Sequence, residues 1–207
     1  MRKLVIRLFI PLIAFLLGVA ATMLFIEVWP KQELRILNPN RRQDIYFYTI
    51  DKRASQAGLP SLRTTLLPRN DFEIRVWVIS GLNGEDGLVL RKTNGQWSAL
   101  HLHGIAQEPP FPNSKTNLAS PKSGWENAWQ KLVNAGILSL PDADELHCNP
   151  GVLDGVGYAV EINKNRTYRI YGYSNPRFAE CKEAKQMITI GKIIADEYGV
   201  EWFGTAE

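Results

Sequence analysis

The feature that most constrains the fold of this chain is an uncharged, apolar run over residues 8–26. A transmembrane helix requires roughly 20 apolar residues, and this run just meets that length. The basic residues that precede the run are Arg2, Lys3 and Arg7. The pattern predicts a signal anchor over residues 1–30 that contacts the membrane through residues 8–26.

A cleaved signal peptide is the alternative interpretation of the same segment. Residues 19–21 (Val-Ala-Ala) are small enough to imitate a cleavage site. Apolar residues continue through Ile26, beyond that site, which favours an uncleaved anchor. Because Lys and Arg next to a membrane stay on the cytoplasmic side, we expect a cytoplasmic N-terminus and a periplasmic or extracellular C-terminal domain. The anchor then lies in the inner or plasma membrane.

The charge balance of the exported part argues against a nucleic-acid partner. Of 24 basic and 21 acidic residues, three and one respectively precede Lys31, so the remainder carries a net charge near +1. Nucleic-acid-binding domains concentrate positive charge on one surface. We therefore expect no nucleic-acid partner.

The two cysteines, Cys148 and Cys181, lie in the exported part. An even pair in an oxidising compartment is a disulfide candidate. The alternative is two buried thiols that do not meet. Because there is no CxxC spacing, a zinc or redox cysteine site is the least favoured interpretation.

After a polar tether over residues 31–43, residues 44–207 are expected to form one α+β domain. Its antiparallel sheet is predicted to consist of hairpins, with two packed helices. The segments expected as strands are residues 44–50, 72–79, 88–93, 96–103, 158–162 and 167–173. Asn94-Gly95 predicts a two-residue turn that pairs Lys92 with Trp97, Leu90 with Ala99 and Leu88 with His101.

The first helix is predicted to begin with a capping box made by Ser123 and Glu126 and to stop at Gly136. The last helix is predicted to follow an N-cap at Asn175 and to end at Gly199. In the second hairpin, a turn over residues 163–166 is expected to place Glu161 opposite Tyr168.

The strand over residues 167–173 is the main candidate for a binding surface. Tyrosine and arginine are favoured at protein interfaces because they offer large contact areas with polar tips. The candidate binding residues are Arg166, Tyr168, Arg169 and Tyr171. The alternative is that the alternate tyrosines fill the core while the arginines are exposed.

His101 and His103 are weak candidates for a metal site. Histidines two apart on a strand point to the same face, and His147 could add a third nitrogen. A chance pair on a sheet face is the more common outcome, so no metal or other cofactor is assigned.

No catalytic residue is assigned either. The carboxylates that could act as acid or base are Asp142, Asp144, Glu145, Asp154 and Glu161, but turn, loop and strand roles explain each of them more simply. The sequence contains no nucleophile elbow, HExxH, P-loop or dinucleotide-binding motif.

The segment from Gly124-Trp125-Glu126 through Leu140-Pro141-Asp142 to Asn175-Pro176 resembles a small domain of uncharacterised bacterial envelope proteins. The resemblance implies no activity, ligand or catalytic residue.

The sequence therefore favours a membrane-anchored extracytoplasmic domain that contacts an envelope protein as a non-catalytic interaction module, either an accessory subunit or an inhibitor. The alternative is an envelope hydrolase acting on cell-wall or glycan material.

Overall fold

The computed structural model describes residues 35–36, 41–80, 84–105, 114–146, 148, 150–151 and 155–200. The predicted membrane segment, most of the tether, His147 and Asp154 lie outside these ranges. Within the described ranges, no helix combines the length and the apolar character that crossing a bilayer requires.

The described residues form an α+β fold, as expected, around one largely antiparallel sheet. The strands are β1 (Arg35–Ile36), β2 (Phe72–Ser80), β3 (Gly84–Thr93), β4 (Gln96–Ile105), β5 (Ser114–Leu118), β6 (Val156–Lys164) and β7 (Thr167–Ser174). Their spatial order is β1-β7-β6-β2-β3-β4-β5. Strands β2 to β7 are antiparallel to their neighbours, and the two-residue β1 pairs parallel with β7. The helices are α1 (Arg41–Gln56), α2 (Trp125–Asn134) and α3 (Lys182–Tyr198), with a 3-10 helix at Leu62–Thr64.

The β3–β4 hairpin is confirmed with its predicted register. Lys92 pairs with Trp97, and Leu88 pairs with His101. Asn94 and Gly95 have φ values of 51° and 79°, the positive values that a type I′ turn requires at both central positions.

The β6–β7 hairpin is confirmed, but its predicted register is wrong. Its turn contains only Asn165 and Arg166, with φ values of 53° and 60°. The pairing of Glu161 with Tyr168 required a two-residue turn centred on Lys164 and Asn165. The two-residue turn lies one position later, so Glu161 pairs with Ile170.

The strand predicted over residues 44–50 is wrong, since these residues lie within helix α1. Phe47, Ile50 and Ala54 are buried at helical spacing and pack against the sheet, whereas Tyr48 is exposed to solvent. The aromatic and β-branched composition is typical of a strand, but burial of one helical face outweighs local propensity.

Both faces of the sheet are covered by helices. On one face, helices α2 and α3 pack Leu132, Met187 and Ile190 against β2, β3, β6 and β7. On the other face, α1 and the 3-10 helix cover Trp77 and Ile170, among other side chains. The two predicted helices thus account for one layer, and α1 supplies the layer that the sequence did not indicate.

The ends of α2 and α3 differ from the predicted N-caps but agree with the predicted stops. Gly124 is the N-cap of α2 without a side-chain hydrogen bond, and Ser123 donates its backbone N–H to Glu197 instead. Helix α3 begins at Lys182 rather than directly after Asn175, and it ends at the left-handed Gly199. Gly136 follows the end of α2 with a φ of 96°.

The predicted disulfide is confirmed between Cys148 and Cys181, which are 33 positions apart with their Cα atoms 6.1 Å from each other. Cys181 is also the N-cap of α3, where its sulfur accepts a hydrogen bond from the Ala184 N–H at 3.4 Å. The bond is compatible with an oxidising compartment.

Candidate functional site

The predicted binding strand β7 does not display its tyrosines. Tyr168 and Tyr171 are each 1% exposed, on opposite faces of the sheet. The Tyr168 hydroxyl donates to Glu161 Oε1 at 2.9 Å, and the Tyr171 hydroxyl donates to the Ile137 carbonyl at 2.9 Å. Burial raises the pKa of both phenols. The interpretation of these two tyrosines as contact residues is therefore corrected, because they fill the core.

The two arginines of the predicted binding surface are both half-buried, and Arg169 makes hydrogen bonds within the fold. Arg169 donates its guanidinium hydrogens to the carbonyl oxygens of Leu138 and Leu140, which follow α2. Arg166 is half-buried in the β6–β7 turn. Strand β7 therefore holds the segment after α2 against the sheet through Arg169 and Tyr171.

Two of the carboxylates considered for catalysis, Glu161 and Asp142, are buried and hydrogen-bonded within the fold. Glu161 is fully buried and accepts hydrogen bonds from Trp77 Nε1 at 2.8 Å and from the Tyr168 hydroxyl. Asp142 is buried and accepts backbone N–H groups of Asp144 and Gly172 at 3.0 and 2.9 Å. Burial raises the pKa of both carboxyl groups. Their hydrogen bonds fix the sheet and the loop after α2, which is a structural role.

His101 and His103 meet a third polar side chain, Asp86. His103 Nδ1 lies 2.7 Å from Asp86 Oδ1, and His101 Nε2 lies 3.7 Å from Asp86 Oδ2. Asp86 is not among the metal-site candidates predicted from the sequence. The pairing of β3 with β4 was the available signal, since continuing it past Leu88 and His101 leads towards Asp86 and His103.

A separate pocket of about 210 Å³ lies where β6 begins and where the segment after β7 passes α3. Its apolar lining is formed by Val156, Tyr158, Pro176 and Ile188, and its rim by Arg177 and Phe178. Both rim side chains are exposed, and Phe178 is 65% exposed. No local sequence pattern indicates this pocket, because its lining comes from three separate segments.

The frame of the pocket is fixed by Asn175 and Gly155. Asn175 Oδ1 accepts the Val156 N–H at 2.9 Å, and the Asn175 N–H donates to the Val156 carbonyl at 2.9 Å. A Cβ at Gly155 would lie 1.7 Å from Asn175 Oδ1. Only glycine fits this close approach, so these residues hold the pocket mouth in one geometry.

No protein-family model matches this sequence, and no curated protein is significantly similar to it.

Proposed function

We propose that this protein is a single-pass membrane protein whose C-terminal α+β domain acts outside the cytoplasm as a non-catalytic interaction module, either an accessory subunit or an inhibitor of an envelope protein. The observation that carries the proposal is the exposed Phe178 at an apolar pocket whose edge is held by hydrogen bonds between Asn175 and Val156. Residues 8–26 supply the anchor in this proposal.

The Cys148–Cys181 bond supports the extracytoplasmic location. Such bonds persist in oxidising compartments and are rare in the cytosol. Together with the basic residues before the apolar run, it favours export of the domain and retention of the N-terminus in the cytoplasm.

The pocket and its rim define the chemistry of the proposed partner. An apolar cavity of roughly 150 Å³ is large enough to bind benzene, so a pocket of about 210 Å³ can accept one apolar side chain. The Arg177 guanidinium at the rim favours a carboxylate next to that side chain. The proposed partner is therefore an envelope protein with an apolar residue flanked by Asp or Glu.

The polar groups buried in the sheet support a non-catalytic role. The carboxylates of Glu161 and Asp142 accept hydrogen bonds that hold neighbouring elements together, and neither residue lines the pocket. An exposed aromatic side chain beside an apolar pocket is typical of the central contact in protein interfaces.

Site-specific photocrosslinking in the native membrane tests this proposal. A photoreactive phenylalanine analogue replaces Phe178 in the full chain, and the matched control carries it at Tyr48, which is exposed on the opposite layer. The proposal expects one discrete adduct from position 178 only, with the crosslinked peptide containing an apolar residue beside a carboxylate. Arg177→Glu should weaken this adduct. Equal crosslinking from both positions, or none from position 178, would contradict it.

The alternative function is an envelope hydrolase acting on cell-wall or glycan material. The convergence of His101, His103 and Asp86 favours this candidate, because such side chains can bind a metal ion that activates water. Hydrolysis of cell-wall material by the purified full chain, lost in His103→Ala but retained in Phe178→Ala, would favour it over the interaction module.

A further inference from the structure

We propose that Asp86, His101 and His103 form a binding site for one divalent transition-metal ion, of which zinc is the best match. One oxygen and two nitrogens of these side chains all lie within 4.8 Å of one another. The site lies on the β3–β4 hairpin and is independent of the pocket at Phe178.

An irregularity in the hairpin brings the three side chains together. Glu85 pairs with Ile105 and Gly87 pairs with Leu102, so Asp86 faces the two residues His103 and Gly104. Strand β4 therefore contains one extra residue, a β-bulge in which Gly104 has a φ of 70°. Bulges redirect side chains and are frequent beside functional sites.

The bulge also orients the carboxylate. Gly104 donates its backbone N–H to Asp86 Oδ1 at 3.1 Å, so the extra residue holds the group that faces both histidines. Hydrogen bonds of this kind fix the direction of metal ligands and raise affinity. Asp86 is buried, and this contact keeps it in place when a ligand binds.

The distances match a site that closes on an ion through small side-chain rotations. Zinc binds imidazole nitrogen and carboxylate oxygen at about 2.0–2.2 Å, which places two ligand atoms of a tetrahedral ion about 3.4 Å apart. The two distances in the structure run to different oxygens of Asp86. Oδ2 lies 3.7 Å from His101 Nε2, and Oδ1 lies 2.7 Å from His103 Nδ1, a hydrogen-bond distance that rotation of His103 must lengthen before an ion is bound. The His103 side chain is 64% exposed and the His101 side chain 20% exposed, so His103 can rotate to admit the ion without disturbing the core.

The donor set determines the class of metal. Two imidazoles and one carboxylate suit zinc and its neighbours among the transition metals, whereas Mg²⁺ and Ca²⁺ prefer six or more oxygen ligands. The carboxylate also offsets part of the charge of the ion. Three protein ligands leave at least one position open, as in sites where the metal binds an exchangeable molecule.

The test measures cobalt and zinc binding to the full-length chain in detergent, purified with a tag that contains no histidine and stripped with EDTA. The visible d–d bands of Co²⁺ report tetrahedral binding, and competition with a fluorescent zinc chelator gives the affinity. We expect the parent chain to bind one equivalent of metal. His103→Ala and Asp86→Asn should each bind it at least about tenfold more weakly. The absorption of the bound Co²⁺ should change when azide occupies the open position.

His147→Ala is the matched control, since the sequence contains three histidines. It should bind one equivalent with unchanged affinity. Each variant is checked by circular dichroism, and His103→Ala should keep the parent spectrum because its side chain is exposed. Three results would overturn the site. The first is stoichiometric binding that persists in a His101→Ala/His103→Ala double variant, and the second is loss of the bound equivalent in His147→Ala alone. The third is the lack of saturable binding to the parent chain. An unchanged cobalt spectrum with azide would overturn its open position.

Discussion

The carboxyl group of Glu161 accepts a hydrogen bond from the indole nitrogen of Trp77 at 2.8 Å, although the two residues are 84 positions apart in sequence. Trp77 lies on the central strand β2 and Glu161 on β6, and both side chains are buried beneath helix α1. The adjacent Arg75 guanidinium attracts the Glu161 carboxylate. An ionisable group is thus part of the packing between the sheet and α1.

Replacing Glu161 with glutamine should change how stability depends on pH. Burial raises the pKa of Glu161 above its ordinary value of 4.5. Between pH 4.5 and the higher folded pKa, the native state binds more protons at this group than the unfolded state does. The contribution of Glu161 to stability is therefore complete below about pH 4.5 and is lost as the pH rises through the folded pKa. Glu161→Gln should flatten this decline.

The measurement is the free energy of unfolding from pH 4 to pH 8 by chemical denaturation. Exposed Glu180→Gln is the matched control and should leave the pH profile unchanged. Below pH 4.5 the parent and Glu161→Gln should be closest in stability, because the protonated carboxyl group and the amide are both neutral and each offers an acceptor to Trp77 and a donor to the Tyr168 hydroxyl. Parallel pH profiles for the parent and Glu161→Gln would contradict the assignment.

Loss of the disulfide should destabilise the domain by roughly 3–4 kcal/mol, the chain-entropy value for a closed loop of this length. Cys148→Ser and Cys181→Ser should each reduce the free energy of unfolding by this amount. Reduction of the parent chain should give a similar loss. Free thiols in the non-reduced native protein, detected by alkylation and mass spectrometry, would show that the bond does not form.

Gly155→Ala should destabilise the protein more than Gly95→Ala does, because an overpacked contact costing about 1–3 kcal/mol is added to the backbone strain at a φ of 153°. The new Cβ would overlap Asn175 Oδ1, which is held by its hydrogen bond to Val156. The matched control is Gly95→Ala, whose φ is 79° but whose Cβ meets no atom within 4 Å, so it should cost only the backbone strain of about 1–2 kcal/mol. Equal losses in thermal unfolding would remove the close-approach argument.

Ile50→Ala should cost about 2–5 kcal/mol, because Ile50 is buried where α1 packs on the sheet. Tyr48→Ala, two residues away on the exposed side of the helix, should change stability by less than about 0.5 kcal/mol. Chemical denaturation of the two variants distinguishes the helix from the strand that the sequence predicts. In a strand, residues 48 and 50 would point to the same face, and the two substitutions would have similar effects.

The proposed topology predicts the behaviour of reporters fused after Glu207. Alkaline phosphatase, which requires an oxidising compartment for its disulfides, should be active there, and a fluorescent protein that folds only in the cytosol should be dark. Replacing Arg2, Lys3 and Arg7 with alanine should reduce the phosphatase signal, since these charges set the orientation. A cytosolic pattern of activity in the parent fusion would overturn the proposed location.

Local sequence predicted those features that depend on neighbouring residues. Asn94-Gly95 gave the β3–β4 register because few residue pairs adopt two successive positive φ angles. The apolar periodicity of residues 125–134 and 182–198 indicated helices α2 and α3. The glycines that follow the helix ends and the candidate cysteine pair were also predicted from single positions.

Only the tertiary structure decided which side chains are covered and which distant groups meet. Residues 44–50 are helical because α1 packs its apolar side chains on the second face of the sheet. Tyr168 and Tyr171 are core residues because helices lie on both faces. Asp86 faces His103 through a bulge, and the pocket at Phe178 draws on three segments. Burial and convergence depend on pairings between residues far apart in sequence, and local patterns do not contain that information.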